Sequence, residues 1–424
     1  MLLLSASCNP TASFLSHSFD SSAKAIESFT VSEYLEDYDQ FWDELYSSFP
    51  FFGVLERQGI DYKTVQKETR ASIESCKEIS TFIADISIMI GDLDHFAHLS
   101  VFSNYNTYVQ ALHEYTEAAK SHLSNAGYQE WVTTLESPQS IRLYEYLRLN
   151  PIDQLSTDLK ADNDIAPLKT LLFPEIKVGY IRIDSFVSAF IEKDHDSVDK
   201  FFRETSNYDH IIIDISRNGG GDTGYYHINL LSPLGGNFMS TSYAFLMDSP
   251  LTQRFWLDFF DGYAPRIYQP IEQWDQTVVF KNPVDLVNLS YYCNYITSTE
   301  SYDSNTSKKI ENTARRWLIV DKPVYSASDN FAAFCKASGW ATVVGNRTGG
   351  DGLGRDPILV SLKNTGVIVR FSVIYGLNPD GTCNAEMGTA PDIQCAPGET
   401  PFETCLKQLE KLGIDISEIY KSMD

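Results

Sequence analysis

Two patterns predict an α/β protein: a layered domain on a mainly parallel sheet, preceded by a small helical domain. From Ser28 to Ile83 apolar residues recur at helical spacing, with Phe41, Trp42, Leu45 and Tyr46 on one face and Ile73, Ile79, Phe82 and Ile83 on later turns. After Leu168 the pattern changes. Val178–Ile183 and Ile211–Ile215 are short β-branched runs separated by the helical stretch Ser197–Glu204, and the alternation returns as Pro323–Tyr325, Asn330–Ser338 and Ala341–Gly345. Strand, helix, strand, twice over, implies parallel pairing through helical crossovers.

Helical spacing continues from Tyr105 to Leu159, broken around Asn125–Gly127 and at Pro151. A chain of 424 residues exceeds what one core usually holds. The composition shift divides it into a helical domain over 25–165 and an α/β domain over 166–424. Within the latter, about 238–300 is dense in aromatics, including Phe245, Phe255, Trp256, Phe259, Phe260, Tyr263, Tyr268 and Trp274. This stretch reads as an insertion over the sheet, with packing favoured over the lining of a substrate groove.

The net charge of −24, from 33 Lys+Arg and 57 Asp+Glu, would repel a phosphate backbone and excludes nucleic acid as a natural partner. No run reaches the roughly 20 apolar residues that span a bilayer. Residues 1–24 are different: Met1–Ser7 ends in small residues before Cys8 and resembles the tail of a bacterial lipoprotein signal, without its basic start. That reading predicts a lipid anchor at Cys8 and a place in the cell envelope; the alternative is an ordinary N-terminal segment. The seven cysteines show no two-residue metal spacing. Cys383 and Cys395 bracket a turn-rich loop and would pair in an oxidising compartment, buried free thiols being the other reading.

Two motifs carry chemistry. Asp214–Asp222 places three successive glycines, Gly219, Gly220 and Gly221, directly after a buried strand. Such a turn exposes backbone N–H donors; it lacks the Lys-Ser/Thr ending of a phosphate loop and the spaced glycines of a dinucleotide site, which leaves an oxyanion hole. Tyr325–Asn330 puts Ser326 and Ser328 at a strand-to-helix junction, where a serine is either a nucleophile or a plain N-cap.

The order of these motifs, followed by Val343–Gly350, resembles the catalytic domain of the C-terminal processing peptidases over roughly Val178–Ile393. The resemblance implies a crotonase-like, ββα-spiral catalytic domain and a serine peptidase with Ser326 as nucleophile, Ser328 as its neighbour, and Gly219 or Gly220 with Ala327 as oxyanion donors. Relatives using a Ser-Lys dyad carry their Lys in a Gly-Lys-Gly step that here reads Gly350-Asp351-Gly352. A carboxylate cannot replace that amine, so Asp351 is expected to be dispensable. The tricorn-like branch instead takes a His from the helical domain and a Glu from near the chain's end. His98 and Glu386 match those positions, with His95 as the competitor for the base. The reaction implied is peptide-bond hydrolysis through an acyl-enzyme, at a site between the domains and with a peptide or protein substrate. No PDZ domain is expected between Ser103 and Glu175. The rival reading is a catalytically silent ligand- or peptide-binding protein on the same scaffold.

Overall fold

Local chemistry starts the helices. Thr30 and Glu33 form a reciprocal capping box on α1 (Val31–Ser48), α2 (Phe52–Arg57) follows, and Asp61 caps α3 (Tyr62–Ile73). The apolar α4 (Ile79–Asp92) buries Phe82, Ile83, Ile86 and Met89. Further on come α5 (Tyr105–Ser121), α6 (Gln129–Leu135) and α7 (Pro138–Leu149), the last with Pro138 in its first turn behind a Ser137 cap. The computed structural model describes residues 29–121, 128–152, 168–257, 268–275, 278–299 and 309–423. Cys8 and its lipoprotein-like surroundings, the Asn125–Gly127 break, and Phe259, Phe260 and Tyr263 lie outside these.

The strands among the described residues are β1 (Ser100–Val101), β2 (Lys169–Phe173), β3 (Val178–Arg182), β4 (His210–Asp214), β5 (Met239–Leu246), β6 (Gln269–Pro270) and β7 (Tyr291–Ser298). They continue as β8 (Arg315–Val320), β9 (Thr342–Gly345), β10 (Ile358–Ser361), β11 (Ile368–Phe371), β12 (Ile374–Leu377) and β13 (Ile393–Gln394). The largest sheet runs β13-β9-β8-β4-β3-β2, parallel throughout except for the antiparallel edge strand β2. A mixed α/β architecture results. Helix α8 (Phe190–Glu204) connects β3 to β4, and the helix Ala327–Ser338 connects β8 to β9. The second crossover corrects the expectation for Pro323–Tyr325: the strand is the apolar run ending at Val320, and Tyr325 makes only an isolated bridge to Gly350.

Side chains alternate across this sheet. Ile181, Ile211, Ile213 and Leu318 meet Phe202 and Phe331 on one face, while Tyr180, Ile212, Trp317 and Ile319 meet Leu406 and Leu409 of helix Pro401–Lys411 on the other. Helices α1–α7 do not close a core alone. Phe41, Trp42, Ile83 and Phe96 share one with Phe371 and Tyr375 from β11 and β12 and with Phe245 of β5. Phe255, Trp256 and Tyr268 are buried in that same core.

A buried carboxylate fastens the far ends of the chain together: Asp37 of α1 accepts the Asn364 N–H at 2.9 Å, the Thr365 N–H at 2.8 Å and the Thr365 hydroxyl at 2.6 Å, at the turn before β11. The six described cysteines are free thiols. Cys383 is sunk in the core beside Tyr375, whereas Cys395 lies past the sheet-edge strand β13, so the expected pairing does not form.

His227, in the helical segment after the glycine turn, is buried, and burial lowers its pKa to about 4. A histidine depressed in the fold favours the neutral form there, so its contribution is complete above the unfolded pKa of about 6.5 and is lost as pH falls from there toward the folded value. Denaturant titrations should show stability falling on the order of 3 kcal/mol more for the wild type than for His227→Asn between pH 7 and 4. Parallel pH profiles would rule the effect out.

Candidate active site

His98 arrives on a strained turn. After α4 the residues Asp94, His95, Ala97 and His98 all take positive φ, 58°, 49°, 53° and 59°. Non-glycine residues enter this region at a cost of about 1 kcal/mol or more each, so the turn exists because its surroundings enforce it. Phe96 is buried within it, Ser372 N–H donates to Ala97 C=O at 2.8 Å, and β1 pairs with β11 immediately afterwards.

Ser326 occupies a second strained position, φ 56° and ψ −125°, between the turn after β8 and the first residue of helix Ala327–Ser338. Its side chain makes no capping bond. Instead its Oγ lies 3.1 Å from His98 Nε2. The His98 Nδ1 is 2.5 Å from Oδ2 of Asp351, which is itself at φ 56°. Both side chains are nearly sealed, at 9% and 2% exposure. That same Asp351 oxygen accepts the Ser372 hydroxyl at 3.1 Å and the Tyr325 hydroxyl at 3.0 Å, while Tyr325 Oη accepts the His98 backbone N–H at 3.2 Å. A carboxylate on Nδ1 selects the tautomer with its proton there, leaving the Nε2 lone pair for the Ser326 hydroxyl.

The loop that presents Asp351 is tied to the Ser326 helix by another carboxylate. Wholly buried Asp329 accepts the Gly352 N–H at 3.1 Å, the Thr389 N–H at 3.2 Å, Asn384 Nδ2 at 2.9 Å and the Thr348 hydroxyl at 2.5 Å. Burial raises its pKa and these donors oppose the rise. Gly352 is obligatory: a Cβ there would sit 2.3 Å from Asn330 N and 2.6 Å from Asp329 Oδ2.

The expected oxyanion donors separate. Gly220 N–H is already donated to Asn218 Oδ1 at 2.9 Å, an oxygen that also accepts the Ser328 hydroxyl at 2.5 Å. Ser328 therefore locks the glycine turn to the helix. Ala327, as first helical residue, has no intrahelical acceptor for its N–H, and Gly219 N–H meets no acceptor among the described residues.

Glu386 does not orient His98. It sits on the short helix Asn384–Met387 and takes two bonds from Arg57 of α2, at 3.1 Å and 2.7 Å, while Arg57 also grips Asp285 at 2.8 Å and 2.9 Å. Arg57 claims the Glu386 carboxylate and Asp351 holds His98 Nδ1, so the carboxylate beside the imidazole is not the expected one. His95 is exposed, with its ring against Gly91 and no contact to Ser326 or Asp351 among the described residues. No motif marks Tyr325 or Ser372 as part of the site, and the Gly350-Asp351-Gly352 step shows only that a lysine is missing. Yet the register that would put a lysine beside the serine puts any side chain at 351 there, and that was the available signal.

A hydroxyl, an imidazole and a buried carboxylate in hydrogen-bonded line, beside a helix start rich in N–H donors, are the parts of a serine hydrolase. Residues 177–395, a little over half of the chain, match the family model for peptidase family S41. The chain belongs to that family and is a serine peptidase. Solved structures similar to it include a candidate peptidase from Parabacteroides merdae, with 16% identity, 90% of this chain and 97% of the other covered, and a TM-score of 0.52. Mature CPAF complexed with lactacystin matches at 13% identity over 90% of this chain and 97% of that one, TM-score 0.50. At such identities the likeness concerns the fold. The photosystem II D1 C-terminal processing protease is 19% identical over 57% of this chain and 52% of its own, with a TM-score of 0.34. A search of curated proteins finds no match.

Gly220 takes φ 106°, and a Cβ on it would lie 2.7 Å from Tyr325 C=O and 2.9 Å from Ser326 Cβ. Gly220→Ala should displace the serine and slow its acylation by a fluorophosphonate about 100-fold, with circular dichroism unchanged. An unaltered rate would show that the turn does not set the serine's position.

Proposed function

We propose that the chain hydrolyses internal peptide bonds through a Ser326–His98–Asp351 triad. Ser326 Oγ attacks the scissile carbonyl carbon while His98 Nε2 removes its proton. Asp351 stabilises the imidazolium, and the Ala327 and Gly219 N–H groups receive the oxyanion. His98 then protonates the departing amine, and water, deprotonated by the same nitrogen, releases the acyl group. The observation that carries this reading is the unbroken line from Asp351 Oδ2 through both ring nitrogens of His98 to Ser326 Oγ, at 2.5 Å and 3.1 Å.

We read the parallel β3-β4-β8-β9 core with its intervening helices as the crotonase-like spiral, and residues 25–165 and 166–424 as base-bearing and nucleophile-bearing parts. Incubation with casein should give fragments, and a fluorophosphonate should add one adduct mass at Ser326; Ser326→Ala and His98→Ala should lose both. An unlabelled wild type that cleaves nothing would favour the silent binding protein.

We also propose that the protein works in the cell envelope, held by lipid on Cys8. Among the described residues no helix is long and apolar enough to cross a membrane. Metabolic incorporation of a fatty-acid analogue should disappear in Cys8→Ser. No incorporation into the wild type would count against the anchor.

A further inference from the structure

Strand β11 carries a charge for which the described residues offer no acceptor. Arg370 lies on β11 two residues before Ser372, the residue that contacts both His98 and Asp351. Its register partner on β1 is Ser100, two residues beyond His98. Arg370 is half-buried, and its Nε is shut off from solvent with no hydrogen-bond partner. No carboxylate among the described residues pairs with it, although the chain has 57 acidic residues against 33 basic ones and pairs the half-buried Arg182 with Asp184 and Asp214.

The surroundings say where that charge points. Burial raises the phenol pKa values of both Tyr115 and Tyr325, and Arg370 opposes the rise in each. The field of the guanidinium thus reaches Tyr325, which precedes Ser326, and Tyr115 of α5. The loop following Asp351 holds another arginine. Arg355 is exposed, lies 4.7 Å over the ring of Tyr295 and makes no ion pair among the described residues. Tyr295 steadies this loop by donating its hydroxyl to Leu353 C=O at 2.9 Å.

A buried donor without an acceptor is destabilising, and such groups persist where a ligand supplies the missing partner. We propose that Arg370, assisted by Arg355, is a specificity determinant that receives a carboxylate of the peptide substrate close to the scissile bond. A guanidinium fork suits a carboxylate and leaves an amide isostere poorly bound. The carboxylate can come from an Asp or Glu side chain or from a free C-terminus, and both present the same two oxygens. The inference rests on the peptidase reading above.

The test uses the full-length wild type with a peptide library read by mass spectrometry, then matched peptides differing only as Asp/Asn, Glu/Gln or C-terminal acid/amide. At least one pair should differ in kcat/KM by about 10–100-fold in favour of the acid. The pair that differs identifies the source. Arg370→Met should collapse the ratio toward one, Arg370→Lys should retain part of it, and Arg370→Glu should turn preference toward lysine-bearing peptides. A wild type that is labelled by a fluorophosphonate and cleaves acid and amide partners equally overturns the inference alone. A wild type that neither labels nor cleaves overturns the peptidase reading and this inference with it. Because the deciding ratio is measured on the wild type, misfolding of a variant does not remove the test.

Discussion

The site is organised around the Asp351 carboxylate. A nearly sealed anion needs donors, because desolvation of an unpaired charge would exceed what the rest of the loop contributes. One of its oxygens collects three: the imidazole of His98 and the hydroxyls of Tyr325 and Ser372. Those donors come from the turn after α4, the turn before the nucleophile helix and the segment after β11. Satisfying the carboxylate thus fixes three distant pieces of chain relative to one another. His98, Ser326 and Asp351 all hold positive φ, so the machinery is assembled from conformations the backbone would not choose alone.

That strain is held by packing and by a second buried network. The helices before β1 and the strands after β9 share one core, and Asp37 and Arg57 tie those helices to the chain's later part at two separate points. As a result His98 and Ser326, 228 residues apart in sequence, meet at hydrogen-bond distance. Asp329 does the corresponding work inside the catalytic part, joining the first turn of the nucleophile helix to Gly352, Thr389 and Asn384. Glu386 belongs to this framework as a clasp on Arg57.

Much of the fold could be read because its signals are local. The capping box of α1, the β-branched runs of β3 and β4 and the helical spacing around Phe41 and Phe82 depend on neighbours in sequence. Pro323–Tyr325 misled because an aromatic after valine resembles a strand end, while the parallel pairing stops at Val320 and Gly345. The site was legible to the extent that motif order carries position: Ser326 and His98 stood out together and lie 3.1 Å apart. Which carboxylate reaches the imidazole was not legible. It depends on Arg57 claiming Glu386 and on a left-handed Asp351, and neither leaves a trace in residue spacing. Arg370 was invisible for the same reason, since an unmatched guanidinium is defined by what fails to surround it.

Activity turns on which acid supports His98, and the rate of Ser326 acylation by a fluorophosphonate in two variants measures this directly. With Asp351→Asn the histidine should lose its oriented tautomer, and the second-order rate constant should fall about 10³–10⁴-fold. Glu386→Gln should keep the rate within about threefold while lowering the melting temperature through the loss of one ion pair. The opposite pattern, a large loss with Glu386→Gln and little with Asp351→Asn, would contradict the assignment.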